Sequence, residues 1–325
     1  MALRQLGWTN LQLTTIGLGT WALGGGEWRW GWGPQDDQES RITIQRALDL
    51  GINWIDTAAV YGLGRSEEVI GKTLQGMVKK PVIATKCSLV WDEDRMISNS
   101  LKRGSVRQEA EDSLRRLGVE AIDLYQIHWP DPEQEIEEGW GTIADLIKEG
   151  KIRYAGVSNF NVEQLKRIQP IHRVASLQPP YSILRRGIED EILDYCSNHD
   201  IGVIVYSPMQ KGILTDKFSK DWAQNLPDSD HRARDSRFQE PELSVNVEFV
   251  KRLSEMAKDK GKTVAQLAIA WTLRRPEVTA AIVGARKPHQ IEETVHAGEW
   301  ELDKNEIEQI DELLEARSDA LEKVK

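Results

Sequence analysis

Four titratable side chains raise the question of chemistry: Asp56, Tyr61, Lys86 and His128. Asp56 closes the apolar run INWID, and Tyr61 follows among glycines in VYGLG. Lys86 closes PVIATK, and His128 closes IDLYQIH. Taken singly, each has an ordinary reading. A strand-end aspartate often caps a helix, a lysine after an apolar run reaches for solvent, and a lone histidine sits satisfied in a core. As a set they suit proton delivery. A free phenol ionises near pH ~10, so at neutral pH it needs help to move a proton. An ammonium beside its oxygen stabilises the phenolate, and lowering the pKa by ~2–3 units takes roughly 3–4 kcal/mol. A carboxylate such as Asp56 keeps that lysine charged in a water-poor site. His128 can then orient a substrate carbonyl against the phenol. The set is suited to protonating a carbonyl oxygen while hydride attacks the carbon. Side chains supply no hydride, so a nicotinamide cofactor is implied.

These residues need elements that bring them together. Short apolar runs fall at 15–20, 52–55, 82–85, 123–128, 152–157, 175–178, 202–206 and 280–283. Amphipathic stretches such as ESRITIQRALDL and SVRQEAEDSLRRLG separate them. Strands alternating with helices imply βαβ units and a parallel sheet. Eight units without a linker favour a closed (β/α)8 TIM barrel, read as a single domain over residues 1–325. LRQLGWTNLQL predicts a short N-terminal β-hairpin, and TVAQLAIAWTLRRPEV an extra helix before the last strand. Ser66 is placed as the cap of the helix in RSEEVIGKTLQG. The polar stretch 216–243 is too long for an ordinary connection and predicts a functional loop. In such a barrel, reactive groups gather at the carboxyl ends of strands and in the loops after them. All four titratable residues satisfy that condition.

The later strand ends offer a cofactor wall. Ser158 and Asn159 follow the fifth run and Gln178 ends the sixth, groups able to hold a carboxamide. Tyr206 can stack on the nicotinamide ring, and Ser207, Pro208, Met209, Gly212 and Leu214 can line the pyrophosphate. VGARKPHQIEET starts a helix beside Arg286, a combination suited to a 2'-phosphate. Thr20 and Trp21 are also placed on the cofactor. Trp21, Trp30, Trp32, Trp91 and Trp129, with Trp28 nearby, are assigned to an indole-lined substrate pocket. Arg232, Arg234 and Arg237 of the late loop are candidates to fold over the pyrophosphate.

Several classes are disfavoured. GLGTWA matches a dinucleotide fingerprint in letters only, because LGGGEWRWGWGP after it cannot start the required helix. No Tyr-x-x-x-Lys pair occurs, and no His/Cys cluster has zinc spacing, so no metal is expected. A formal charge of -10 argues against nucleic acid. Two cysteines give no disulfide framework, and no apolar run approaches the ~18 residues of a membrane span. MALRQLGW lacks an apolar signal core. A cytoplasmic monomer acting on a small molecule is the expectation.

The ordered segments GLGTW, INWIDTAAVYGLGRSEEVIGKTL, IATK, IDLYQIHWPD, IRYAGVSNF, SLQPPYS, VYSPMQKGILT and IVGARKPHQIEE resemble the aldo-keto reductase superfamily along nearly the whole chain. Within it the chain is similar to the bacterial and cyanobacterial type related to potassium-channel β subunits. The resemblance implies NADPH at the C-terminal face of the barrel, with Asp56, Tyr61, Lys86 and His128 as tetrad and Tyr61 as general acid. It implies nicotinamide contacts at Ser158, Asn159, Gln178 and Tyr206. Adenosine-phosphate contacts fall at Gly284, Arg286, Gln290 and Glu293; Thr294 stands where the family often has asparagine. The implied activity is reduction of aldehydes or ketones. A redox-sensing NADPH module akin to channel β subunits and an NAD(P)-dependent sugar or polyol dehydrogenase are the alternatives.

Overall fold

The structure, a computed structural model, describes residues 1–324. Strands β1 (Leu3–Gln5) and β2 (Gln12–Thr14) pair antiparallel as the expected hairpin. There follow β3 (Ile16–Gly19), helix α1 (Asp37–Asp49), β4 (Trp54–Asp56), α2 (Arg65–Leu74) and β5 (Val82–Cys87). A second hairpin, β6 (Leu89–Trp91) with β7 (Ile97–Asn99), precedes α3 (Arg103–Leu117) and β8 (Ile122–Ile127). Next come α4 (Ile136–Lys148), β9 (Ile152–Ser158), α5 (Val162–Ile168), β10 (Ser176–Gln178), α6 (Ile192–Asn198) and β11 (Gly202–Val205). The chain ends through α7 (Lys220–Gln224), α8 (Glu242–Asp259), α9 (Val264–Leu273), β12 (Val278–Gly284), α10 (Pro288–Thr294) and α11 (Lys304–Val324).

The strands β3, β4, β5, β8, β9, β10, β11 and β12 close a parallel barrel in chain order, so all eight predicted strands are present. They are nearly continuous apolar runs because both faces are buried, by side chains inside the barrel and by helices outside. The β6–β7 hairpin and α11 were not foreseen. The 216–243 stretch carries α7 and two short 3₁₀ turns (His231–Arg234 and Ser236–Phe238), capped by Asp230 and Asp235. Phe218, Trp222 and Phe238 pack together beneath it, giving this polar segment an aromatic anchor.

Ser66 is not the cap of α2. Gly64, at φ 99°, takes the cap position. The Ser66 hydroxyl points inward, donating to Thr20 Oγ1 at 2.9 Å and lying 3.0 Å from Thr57 Oγ1. It thereby ties α2 to the ends of β3 and β4.

At the amino-terminal end, the N-terminal hairpin plugs the barrel. Trp54 is fully buried among Leu6, Leu11, Leu13 and Leu124, and its indole N–H donates to Thr14 O at 2.9 Å. The indole lies flat against Gly17, where a Cβ would stand 2.0 Å from the ring. Gly17→Ala is therefore expected to destabilise the fold by about 1–3 kcal/mol through overpacking. A urea midpoint unchanged in that variant would refute this account of the plug.

Candidate active site

The carboxyl ends of β4, β5 and β8 carry Asp56, Lys86 and His128 to one mouth of the barrel. Lys86 is fully buried, and its Nζ donates to both Asp56 carboxylate oxygens at 2.7 and 2.9 Å and to Thr57 O at 2.8 Å. Its remaining direction faces the Tyr61 hydroxyl at 3.5 Å. Three short bonds fix the ammonium, and the phenol is the longer, adjustable contact. Asp56 Oδ2 also accepts from Gln178 Nε2 at 2.7 Å, which links the pair to β10 across the barrel.

Tyr61 reaches this pair because its loop folds back. Gly62 lies at φ 65° and touches Gly24 of the loop after β3, so that a Cβ there would meet Gly24 O at 2.2 Å. Positive φ and close backbone approach both require glycine at this position. The Tyr61 ring meets His128 edge-on at 5.8 Å and Trp21 in a stack at 6.3 Å.

Burial pushes the Tyr61 phenol well above its ordinary value, and the Asp56 carboxylate and Tyr206 push the same way. The bidentate carboxylate neutralises most of the Lys86 field, so little of it remains to favour phenolate. Burial lowers Lys86 itself, opposed by Asp56 and Glu67. For His128, burial and the Lys86 cation hold the imidazole well below its usual range. Tyr61 is thus protonated and His128 neutral at pH 7.

A cavity of about 1100 Å³ opens above these groups. Asp56, Tyr61, His128, Ser158, Asn159, Gln178 and Tyr206 line it, as do Ser207, Pro208, Met209, Gly212, Gly284, Arg286, Gln290, Glu293 and Thr294. Thr20, Trp21, Trp30, Trp32 and Trp129 also line it, with Trp28. Three assigned residues are not in the cavity wall: Leu214, Trp91 and Lys86. Leu214 is fully buried and belongs to the hydrophobic core. Trp91 has left the barrel mouth along the β6–β7 hairpin and lies under the Arg116 guanidinium at 5.8 Å. Lys86 acts from behind the wall rather than in it.

Asn159, at φ 63°, is more committed than a free ligand contact. Its amide donates to His128 O at 2.9 Å and Ser158 Oγ at 3.0 Å and accepts from the Tyr206 hydroxyl at 2.9 Å. Arg286 donates to Trp32 O at 2.9 Å, to Gln35 Oε1 at 2.8 Å and to Pro34 O. These acceptors are uncharged, so the guanidinium keeps its positive charge for the cavity.

The late loop crosses the mouth. Trp32 and Asp230 form an antiparallel bridge, and His231 N donates to Gly31 O at 3.0 Å. His231 stacks on Trp21 at 4.9 Å, and burial lowers its pKa to about 4. Arg232 and Arg237 line the cavity, each paired to an aspartate, Asp230 and Asp235; Arg234 is not in the wall and donates to Arg29 O. His231 and Trp222 were missed as site residues, since neither lies at a strand end. Among the described residues no cluster of His, Cys, Asp or Glu could hold a metal, and no helix is long and apolar enough to cross a membrane.

A parallel eight-stranded barrel with this carboxylate, phenol, lysine and imidazole at its mouth defines an aldo/keto reductase-type protein. A profile described as "Aldo/keto reductase family" matches residues 15–315, and the chain belongs to that family. It is 37% identical over 310 residues to an aldo-keto reductase of Bacillus subtilis (strain 168), covering 94% of this chain and 92% of that one. It is 34% identical over 305 residues to the NADH-specific methylglyoxal reductase of Escherichia coli (strain K12), covering 90% and 92%. A glycerol dehydrogenase structure from Gluconobacter oxydans superposes with a TM-score of 0.87 at 37% identity, covering 97% of this chain and 95% of that one.

Removing one partner of the buried pair leaves the other charge without compensation. Asp56→Asn is expected to lose about 3–5 kcal/mol of stability, most of it recovered in Asp56→Asn/Lys86→Met. Denaturant unfolding of the full cycle measures the coupling; additive losses would contradict it.

Proposed function

We propose that this chain reduces aldehydes and ketones to alcohols with NADPH, Tyr61 acting as general acid. The observation that carries the reading is the Lys86 ammonium, held by both Asp56 oxygens and set 3.5 Å from the Tyr61 hydroxyl at the cavity wall. A cofactor fits the residues present. Gln178 spends its amide N–H on Asp56, leaving its oxygen to accept from a carboxamide. Arg286 hydrogen-bonds uncharged acceptors at the cavity wall, with Asp230 and Glu39 acting on it only from farther off, an arrangement suited to a phosphate. The cavity volume is at the upper end of small-molecule sites, as a dinucleotide plus substrate requires. Bound there, a nicotinamide supplies hydride to the carbonyl carbon.

The chain's own residues do the rest. Neutral His128 donates an imidazole N–H to the carbonyl oxygen and orients it toward Tyr61. The Tyr61 proton passes to that oxygen as negative charge develops on it. The phenolate left behind then closes on the fixed Lys86 ammonium through their longer, adjustable contact, which is stabilisation gained only as the reaction proceeds. Asp56 keeps that ammonium charged throughout. The indoles of Trp21, Trp28, Trp30 and Trp129 exclude water and favour apolar or flat carbonyl compounds.

Tyr61→Phe is expected to lower kcat/KM for aldehyde reduction by about 10²–10⁴-fold while cofactor affinity is retained. Unchanged turnover would sink the assignment. With the phenol held above its usual range and the imidazole below, both groups stay in their working forms through neutral pH. The kcat/KM profile is therefore expected to be level from about pH 7 to 9, with no inflection near the free imidazole value of ~6.5. Cofactor choice rests on Arg286. Arg286→Ala is expected to weaken NADPH by about 10–100-fold, the value of a charge-assisted hydrogen bond, and to leave NADH nearly unchanged. Equal losses for both would point to NADH use, as in the Escherichia coli relative named for it. The Schizosaccharomyces pombe relative, 32% identical over 328 residues, is named a putative channel β subunit. Tight NADPH binding with no turnover of any aldehyde would favour that role here.

A further inference from the structure

We propose that Glu109, on the outer helix α3, is a positioning residue for the reaction: through Ser88 it holds the ends of β5 and β8, and with them Lys86 and His128, in register. The inference rests on the roles given above to Lys86 and His128. Glu109 Oε2 accepts from the Ser88 backbone N–H at 3.0 Å, in a site that leaves Glu109 only 7% exposed. Ser88 follows Lys86 by two residues and sits at φ 90°, a conformation L residues rarely adopt. It is held from every side. Its hydroxyl accepts from Trp129 N at 3.2 Å, immediately after His128, and its carbonyl accepts from Ser100 N at 3.1 Å. Beside it, His128 N donates to Cys87 O at 3.0 Å. One buried serine therefore joins two strand ends that carry two of the four reactive groups, and Glu109 anchors that serine to the helix layer.

The chemistry of Glu109 points to a hydrogen-bonding role rather than an ionic one. The neighbouring cation, Arg116, bonds Glu67 at 2.7 Å. Burial pushes the Glu109 carboxyl up to about 8, with the Ser88 and Ser105 hydrogen bonds and Arg116 opposing and Glu67 reinforcing. Cys87 and Tyr125 also face it, from β5 and β8. Both side-chain oxygens accept, Oε2 from the Ser88 N–H and Oε1 from the Ser105 hydroxyl at 3.3 Å. Glutamine keeps an acceptor for the Ser88 N–H and turns an amide N–H to the Ser105 hydroxyl, which can accept it; alanine makes neither bond.

The test uses the full chain, with kcat, carbonyl KM, cofactor dissociation constant and melting temperature measured at pH 7 for Glu109→Ala, Glu109→Gln and Ser88→Gly. Glu109→Ala is expected to lower kcat by about tenfold or more, as small misplacements of reacting groups do, with cofactor affinity within about twofold. Glu109→Gln is expected to keep wild-type kcat. In Ser88→Gly the left-handed backbone is free of strain, the CH2OH that accepts from Trp129 N is lost, and the backbone N–H bonded by Glu109 is kept. Its kcat is expected to fall severalfold while its melting temperature holds or rises, which a purely structural role does not produce. Full kcat in Glu109→Ala, or failure of glutamine to rescue, overturns the inference. Should Glu109→Ala not fold, Glu109→Met, which fills the same space without an acceptor for the Ser88 N–H, takes its place with the same expected fall in kcat. Failure of the catalytic reading itself shows separately, as undiminished turnover in Tyr61→Phe.

Discussion

The buried ion pair of Lys86 and Asp56 is the constraint around which the site is built. Two charges removed from water cost several kcal/mol each, and they are retained only when geometry and extra hydrogen bonds repay them. Here the repayment is complete on the lysine side, with two carboxylate contacts and the Thr57 carbonyl. It extends on the carboxylate side to Gln178. The pair cannot shift without stranding a charge, and so the barrel mouth cannot deform near it. Rigidity is what the proton chemistry needs, because the phenol contributes only if the ammonium stays within reach.

The same neutralised pair explains why the resting site keeps its protons. With the lysine field largely cancelled, the Tyr61 phenol feels mainly its dry surroundings and holds its hydrogen. Stabilisation of phenolate becomes available only once charge moves onto that oxygen. In the proposed reaction binding and turnover are thereby separated, with ground-state attraction kept small and transition-state attraction kept large.

Much of this was legible in the residue order. The eight strands could be read because both faces of a parallel barrel are buried, which turns each strand into a short apolar run. The four candidate residues could be read because Asp56, Lys86 and His128 stand where such runs stop and Tyr61 lies in the loop that follows the first of them. What escaped depends on packing at a distance. Ser66 looks like a helix cap by local rules, yet Gly64 takes the cap and frees its hydroxyl for the strand ends. Trp91 looks like its neighbouring indoles, but a hairpin carries it out of the mouth. Leu214 sits in a loop that borders the cavity, though its own side chain turns to the core. His231 owes its place to a bridge between segments some two hundred residues apart in sequence, which no local pattern encodes.

The indole-rich loop after β3 has a consequence for how this scaffold can change. Two of its four indoles spend their N–H groups within the loop, Trp21 on Trp30 O at 3.0 Å and Trp28 on Gly25 O at 3.2 Å, whereas the buried Trp32 Nε1 has no partner. The same loop also steadies the groups beside it: Gly24 meets the backbone of Gly62, Trp21 stacks on the Tyr61 ring, and the carbonyls of Trp32 and Pro34 hold Arg286. Trp30 faces the cavity without such a tie, and there the pocket can be redrawn at least cost. Larger changes to the loop carry over to Tyr61 and Arg286, so the wall and the site beneath it must change together.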